Sequence, residues 1–170
     1  MELWDLYDEN YQRTGETWLR GEARRIPEGR YHIVCDVLIR NRDGNYLLTL
    51  RDPRKETHPG EWEASAGGSA LAGEEPLQAA EREMLEETGL AAESMELIAR
   101  SMRGNVIFYS YLAETACDPG DVRLQEGETC DYRWVDKAAL VAFSHSDKGL
   151  KAHNERYRSF FDRLEKELEK

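Results

Sequence analysis

Gly67-Gly68-Ser69-Ala70-Leu71-Ala72-Gly73-Glu74-Glu75-Pro76-Leu77-Gln78-Ala79-Ala80-Glu81-Arg82-Glu83-Met84-Leu85-Glu86-Glu87-Thr88-Gly89-Leu90 is the stretch that decides the reading of this chain. Pro76 suits a first helical turn, where a missing N–H costs nothing. Gly89 supplies a residue past the helix end, and Leu90 is placed to cover the last turn. Leu77, Ala80, Met84 and Thr88 recur at the 3/4 spacing and predict a helix over 76–88 with one apolar face. Beside that face stand Glu83, Glu86 and Glu87, at i, i+3 and i+4, within an arc of roughly 100°. Like charges at those spacings repel by a few tenths of a kcal/mol per pair. They also stand in the C-terminal half of the helix, where the negative end of the dipole disfavours anions. Local propensity would not choose this. A divalent cation removes the penalty, since hard Mg2+ takes one or two carboxylates and recruits substrate phosphate oxygens. The alternative is a solvated acidic face, with Arg82 offsetting part of the charge. The Gly67-Gly68 pair lets backbone approach a ligand or metal closely. Glu74, eight residues before Arg82, can tie loop to helix as an ion pair.

Outward from this stretch, strands and loops alternate. Tyr31 to Arg40 is apolar and rich in β-branched residues, Asn41 to Asn45 is a turn of the Asp-Gly kind, and Tyr46 to Leu50 returns as a second strand. Asp52 to Glu61 holds Pro53, Pro59 and Gly60 and reads as loop. Glu63 to Ala66 reads as extended and broken by Gly67 and Gly68. Ahead of these, Leu3 to Tyr7 and Thr17 to Leu19 flank a polar turn ending at Gly15 and predict a hairpin, followed by a loop over Arg24 to Gly29. Downstream, Met95 to Met102 and Val106 to Ala113 pair around Gly104-Asn105. Thr115 to Thr129 is an acidic loop, Tyr132 to Val135 a short strand, and Lys137 to Phe143 a short helix. Leu150, His153, Tyr157, Phe160, Phe161, Leu164 and Leu168 mark one amphipathic C-terminal helix. The expectation is a single α/β domain over 1–170, with 1–29 as a hairpin extension and 150–170 as the terminal helix. Phe143, Tyr157, Phe160 and Phe161 either form a homodimer surface through that helix or pack on the parent sheet. Trp4, Tyr7, Trp18, Phe108, Tyr109, Tyr111 and Trp134 read as core residues of strands before they read as platforms for a base.

Composition sets the partners. Lys and Arg number 23 against 34 Asp and Glu, a net charge of −11 over 170 residues. That balance argues against a nucleic-acid backbone or an anionic membrane as the main partner, because both need a basic face. An anionic substrate must therefore meet a local basic cluster or a bound metal ion. No stretch approaches the ~18 apolar residues of a membrane span, and Met1-Glu2-Leu3-Trp4-Asp5 lacks the order of a signal peptide. Cys35, Cys117 and Cys130 are widely spaced, with no Cys-x-x-Cys. A reducing, cytoplasmic setting is expected, rather than a disulfide framework or a zinc site.

From Gly68 to Leu90 the order is Gly, five residues, Glu74, seven residues, Arg82-Glu83-Met84, one residue, Glu86-Glu87, one residue, Gly89-Leu90. This resembles the Nudix box at every defined position, and the chain from about Tyr31 to Phe143 is similar to a Nudix hydrolase. The resemblance implies an α/β/α sandwich around a mixed sheet, with the box as a strand-loop-helix unit. It implies cleavage of a nucleoside diphosphate linked to another group, with Mg2+ or Mn2+ as cofactor. By position, Glu83, Glu86 and Glu87 become metal-binding carboxylates and the Gly67 carbonyl a backbone ligand. Glu74 and Arg82 become the pair that holds loop on helix. Glu86, Glu87 or Glu126 would take the proton of the attacking water, with Glu128 a neighbouring alternative.

Upstream, Tyr31-His32-Ile33, Leu48-Thr49-Leu50-Arg51, Lys55, Pro59-Gly60 and Trp62 are similar to isopentenyl-diphosphate isomerase, a relative on the same fold. The resemblance implies that Arg51 and Lys55 grip a diphosphate. Gly67 stands where that enzyme's catalytic Cys would be, and Ser69 where a metal-binding His would be. His32 is then read as a strand residue with a satisfied ring. The expected activity is Mg2+-dependent hydrolysis of a diphosphate bond in a nucleoside diphosphate derivative or related organic diphosphate. A non-catalytic nucleotide-binding sensor and an isomerase-like protein are the alternatives.

Overall fold

β3 (His32–Asn41) is the strand against which the rest of the chain is laid, in a computed structural model that describes residues 2–147 and 151–170, the side chains of 151 and 152 excepted. Its side chains alternate as a strand's must. Ile33, Cys35, Val37 and Ile39 enter one core with Ala79, Ala80 and Met84 of α1 (Pro76–Thr88). Leu38 enters a second core with Leu140, Phe143, Tyr157, Phe160, Phe161 and Leu164. Those last residues belong to α2 (Lys137–Ser144), α4 (Arg158–Leu168) and the residue that precedes α4. Helices thus cover both faces of the sheet, as an α/β/α sandwich.

The sheet is mixed. β3 runs parallel to β8 (Val106–Thr115), from His32 opposite Val106 to Asn41 opposite Thr115, and β8 is antiparallel to β7 (Ser94–Arg103). On its other edge β3 pairs antiparallel with β6 (Ala66–Ser69). β4 (Tyr46–Arg51) meets β3 only at Arg40 and Tyr46, then diverges to pair with β5 (Trp62–Ala64) and β9 (Thr129–Val135). The chain crosses from β5 to β6 at Ser65, a buried residue with φ 35°. Left-handed backbone at a residue with a side chain costs about 1–3 kcal/mol and persists only where its surroundings over-determine it. Here Ser65 Oγ donates to the Leu47 carbonyl and accepts from Ile39 N–H, both at 2.8 Å, while Thr49 donates to the Ser65 carbonyl.

Several expectations change. Gly67 and Gly68 do not break an extended piece; they are part of β6, because crossing at Ser65 lets the chain pair again, now with β3. Gly15 is not the turn of the N-terminal hairpin. β1 (Leu3–Tyr7) and β2 (Arg13–Leu19) turn at Asp8, whose Oδ1 accepts from Asn10 and Gln12 N–H, and Gly15 lies in β2. Arg24 and Arg25 end a 3-10 turn over Arg20–Arg25. Leu77 is 41% exposed, and the small Ala79 joins Ala80 on the buried face, so α1 comes close to β3 and β6. The C-terminal segment is two helices, α3 (Lys151–Arg156) and α4, parted at Tyr157. The parting lets Arg156 fork onto buried Asp36 at 2.6 and 2.8 Å while Phe160 and Phe161 fill the core. Leu150 lies outside the described residues. Phe143, Tyr157, Phe160 and Phe161 are at most 7% exposed, so they pack on their own sheet and offer no dimer surface.

His32 is buried and its ring stacks on Trp4 at 4.0 Å and 8°, but Nδ1 has no hydrogen-bond partner, so stacking holds the ring where a hydrogen bond was expected. Burial holds its imidazole down to about 4, against 6.5 in the open. The unfolded chain therefore takes the proton first; this part of the stability is whole above pH 6.5 and lost as pH falls through 4. Its size is roughly 3 kcal/mol once both states are protonated. Urea titrations between pH 7 and 3.5 are expected to show a shallower acid loss in His32→Phe, which keeps an aromatic ring on Trp4, than in the parent chain.

Candidate active site

α1 is bounded by its sequence. Glu75 caps it through a reciprocal pair with Gln78, Pro76 opens it, and Gly89 at φ 70° closes it with its N–H on the Leu85 carbonyl at 2.9 Å. The helix thus sets Glu83 and Glu87 against the Gly67-Gly68 backbone of β6, with Glu86 beside them.

Arg82 joins the two. Its Nε and Nη2 donate to both Glu74 carboxylate oxygens at 2.7 and 2.9 Å, and Nη2 also reaches the Ser69 carbonyl at 3.1 Å. Nη1 donates to Glu83 at 2.7 Å and to Glu86 at 3.2 Å. Glu74 and Arg82, expected as an ion pair between loop and helix, meet in bidentate geometry, and the hydrogen bond from Arg82 holds the Glu74 carboxyl below its usual range.

Glu83 lies against Gly68: a Cβ on that residue would stand 2.3 Å from its carboxylate. Glu87 is buried, and its Oε2 accepts from Gly67 N–H at 3.0 Å. Burial pushes both acids upward. For Glu87 the shift is large, with the charge of Glu63 adding to it, and for Glu83 the Arg82 guanidinium works the other way.

Gly67, Gly68, Glu83, Glu86 and Glu87 line one polar cavity of about 440 Å3, and Arg51 and Lys55 line it too. Arg51 is anchored below by Glu63, 3.1 Å to each oxygen, and to the side by the Thr57 carbonyl at 3.0 Å. Lys55 pairs with Glu128, another lining residue. Glu126, two residues earlier, is exposed and outside the lining, so the structure brings Glu128 to the cavity and not Glu126.

Glu63 escaped the sequence reading altogether. Burial pushes its carboxyl up to about 7 against the pull of Arg51. The signal was available: an acid between Trp62 and Ala64 in a strand needs a buried cation, and Arg51 sits one strand away. Arg20 and Glu2, from the N-terminal hairpin region, also line the cavity and were not foreseen.

The donor set suits a hard divalent cation. Glu83, Glu86, Glu87 and the Gly67 carbonyl offer only oxygens, and Glu87 is buried with a single backbone N–H for a partner. Arg82 spans Glu83 and Glu86, and among the described residues no three His, Cys, Asp or Glu side chains are already drawn together as ligands. Binding would exchange the longer Glu86–Arg82 contact for the cation.

The helix thus presents carboxylates across a cavity from Arg51 and Lys55, on an α/β/α sandwich. The sequence matches the NUDIX domain over residues 30–164. It is 38% identical over 156 residues to an uncharacterized Nudix hydrolase of Listeria monocytogenes, covering 86% of each chain. It is 32% identical over 126 residues to an isopentenyl-diphosphate Delta-isomerase of Corynebacterium diphtheriae, covering 68% of this chain and 69% of that one. A crystal structure from Deinococcus radiodurans shares the fold at a TM-score of 0.70 and 20% identity, over 92% of this chain and 99% of that one. The chain belongs to the Nudix family, and it is a hydrolase of that family.

Because the Glu83 carboxylate is the far end of a flexible side chain, Gly68→Ala should displace it without unfolding the protein. The expected result is a thermal midpoint within a few degrees of the parent and hydrolytic turnover reduced about 100-fold, the scale of a ~1 Å misplacement of a reacting group.

Proposed function

We propose that this chain hydrolyses a diphosphate bond in a nucleoside diphosphate derivative or a related organic diphosphate, with Mg2+ or Mn2+ as cofactor. The observation that carries this reading is the opposition, within one cavity, of the α1 carboxylates to Arg51 and Lys55. Glu83, Glu86, Glu87 and the Gly67 carbonyl would hold the cation. When bound, it neutralises charge on adjacent phosphate groups and lowers the pKa of a water. Arg51, its guanidinium fixed by Glu63 and Thr57, turns a positive charge toward the diphosphate, and Lys55 adds a second. Glu86 and Glu128, both partly open to solvent in the cavity, are the candidates for the base, and one of them takes the proton of the attacking water. Arg82 and Glu74 keep loop and helix in register while this happens. The chain acts as one domain in a reducing cytoplasm, in keeping with free thiols at Cys35, Cys117 and Cys130. Among the described residues no helix is long and apolar enough to cross a membrane.

The isomerase reading is disfavoured by the geometry at Gly67. A Cβ there would stand 2.7 Å from the Cys35 carbonyl, so a thiol side chain has no room without moving backbone. Cys35 itself is buried, donates to the Pro76 carbonyl at 3.1 Å, and its thiol is pushed well up by burial.

The test is turnover of nucleoside diphosphates, nucleotide sugars, dinucleotides and prenyl diphosphates by the purified chain. Hydrolysis of at least one member with Mg2+, its loss with a chelator, and a fall of roughly 100-fold or more in Glu86→Gln are expected. Folded protein that turns over none of them would overturn the reading.

A further inference from the structure

Residues 1–29 precede the NUDIX match, yet they are fastened to the loop that carries the box. The Leu3 carbonyl accepts from Ala72 N–H at 2.8 Å, and Asp5 Oδ2 accepts from Gly73 N–H at 2.9 Å. Arg13 donates to the Glu74 carbonyl at 2.5 Å and pairs with Glu75 at 3.1 Å. Behind these, Trp4 lies flat on His32, and Tyr7 and Tyr31 exchange backbone hydrogen bonds at 2.8 and 3.0 Å. A hairpin held at this many points moves with the box loop. Its far end, at the close of β2, places Arg20 and Glu2 on the cavity that Glu83 and Arg51 line.

The cavity's cations differ in what already holds them. Arg51 is committed to buried Glu63, Arg82 to Glu74 in a bidentate pair, and Lys55 to Glu128. Arg20 is paired with Glu2 at 2.6 Å, and those side chains are 61% and 49% exposed. An exposed pair of this kind is worth little and is readily exchanged, whereas the other three partners brace the fold or the loop. The backbone hydrogen bond from Arg20 N–H to the Glu2 carbonyl, at 3.1 Å, keeps the two residues side by side when their side chains part. Among the described residues the cavity lining includes no aromatic ring, and its polar side chains are mostly charged. A guanidinium is the side chain whose forked donors match phosphoryl oxygens.

We propose that the N-terminal hairpin is a wall of the active site and that Arg20 binds a phosphoryl group of the substrate, with Glu2 as the anion it releases. This rests on the diphosphate reading above and adds a specificity-determining residue outside the NUDIX match.

The test is calorimetric titration of the full chain, with Mg2+, by methylenediphosphonate, whose carbon bridge prevents hydrolysis. Arg20→Ala is expected to weaken binding about 10-fold, Arg20→Lys to recover most of it, and Glu2→Gln to match or exceed the parent about 2-fold, because a competitor for Arg20 is gone. A purely structural pair would make Arg20→Ala and Glu2→Gln fail alike. That result, or parent-like binding in Arg20→Ala, overturns the role of Arg20 and leaves the hydrolase reading standing. A parent chain that does not bind the diphosphonate overturns both.

Discussion

A single guanidinium holds the carboxylate face of α1 together. Arg82 reaches back to both oxygens of Glu74 and to the Ser69 carbonyl, and forward to Glu83 and Glu86. Loop and helix are thereby one unit, and the loop brings the glycine backbone of β6 to the acidic side of α1. The same contacts explain how three carboxylates coexist within one helical turn. Glu83 and Glu86 share the Arg82 charge, and Glu87 turns inward to Gly67 N–H. Burial still pushes Glu83 and Glu87 upward, so keeping both ionised is costly without a cation. A divalent ion among these oxygens would remove that cost.

Beneath the cavity lies a second charged layer on the opposite face of the sheet. Asp36, the β3 residue between Cys35 and Val37, points away from α1 and takes the fork of Arg156. His153 stands 3.7 Å from Asp36 and 3.9 Å from Glu63, and Glu63 holds Arg51. The C-terminal helices therefore do more than cover apolar surface. They close over Asp36 and Glu63, and Glu63 positions the Arg51 guanidinium at the cavity. The two helices part at Tyr157, whose φ of −86° and ψ of 2° leave the helical range.

What could be read from sequence was whatever repeats at helical or strand spacing. The bounds of α1, the alternation of β3, the pairing of β7 with β8, and the Glu74–Arg82 tie all follow from local patterns and fixed offsets. Cavity membership was harder, because it depends on how loops are pinned. Glu128 and Glu126 are equivalent in sequence, and only the Lys55 pair and the return of Asp52 N–H to the Glu128 carbonyl at 2.9 Å turn the former inward. The glycines of β6 read as a break because pairing across Ser65 needs a left-handed residue that no pattern announces. Glu63 was hidden by the same register, and Arg20 by the distance in sequence between the hairpin and the box.

The central claim is that the α1 carboxylates carry a charge load which a divalent cation relieves. Thermal unfolding of the parent chain and of a Glu83→Gln, Glu86→Gln, Glu87→Gln chain, each with and without Mg2+, tests it most directly. Without the ion, the amide chain should melt at or above the parent; with it, the parent alone should rise by several degrees. A parent indifferent to Mg2+, or an amide chain that gains as much from the ion, would contradict the account.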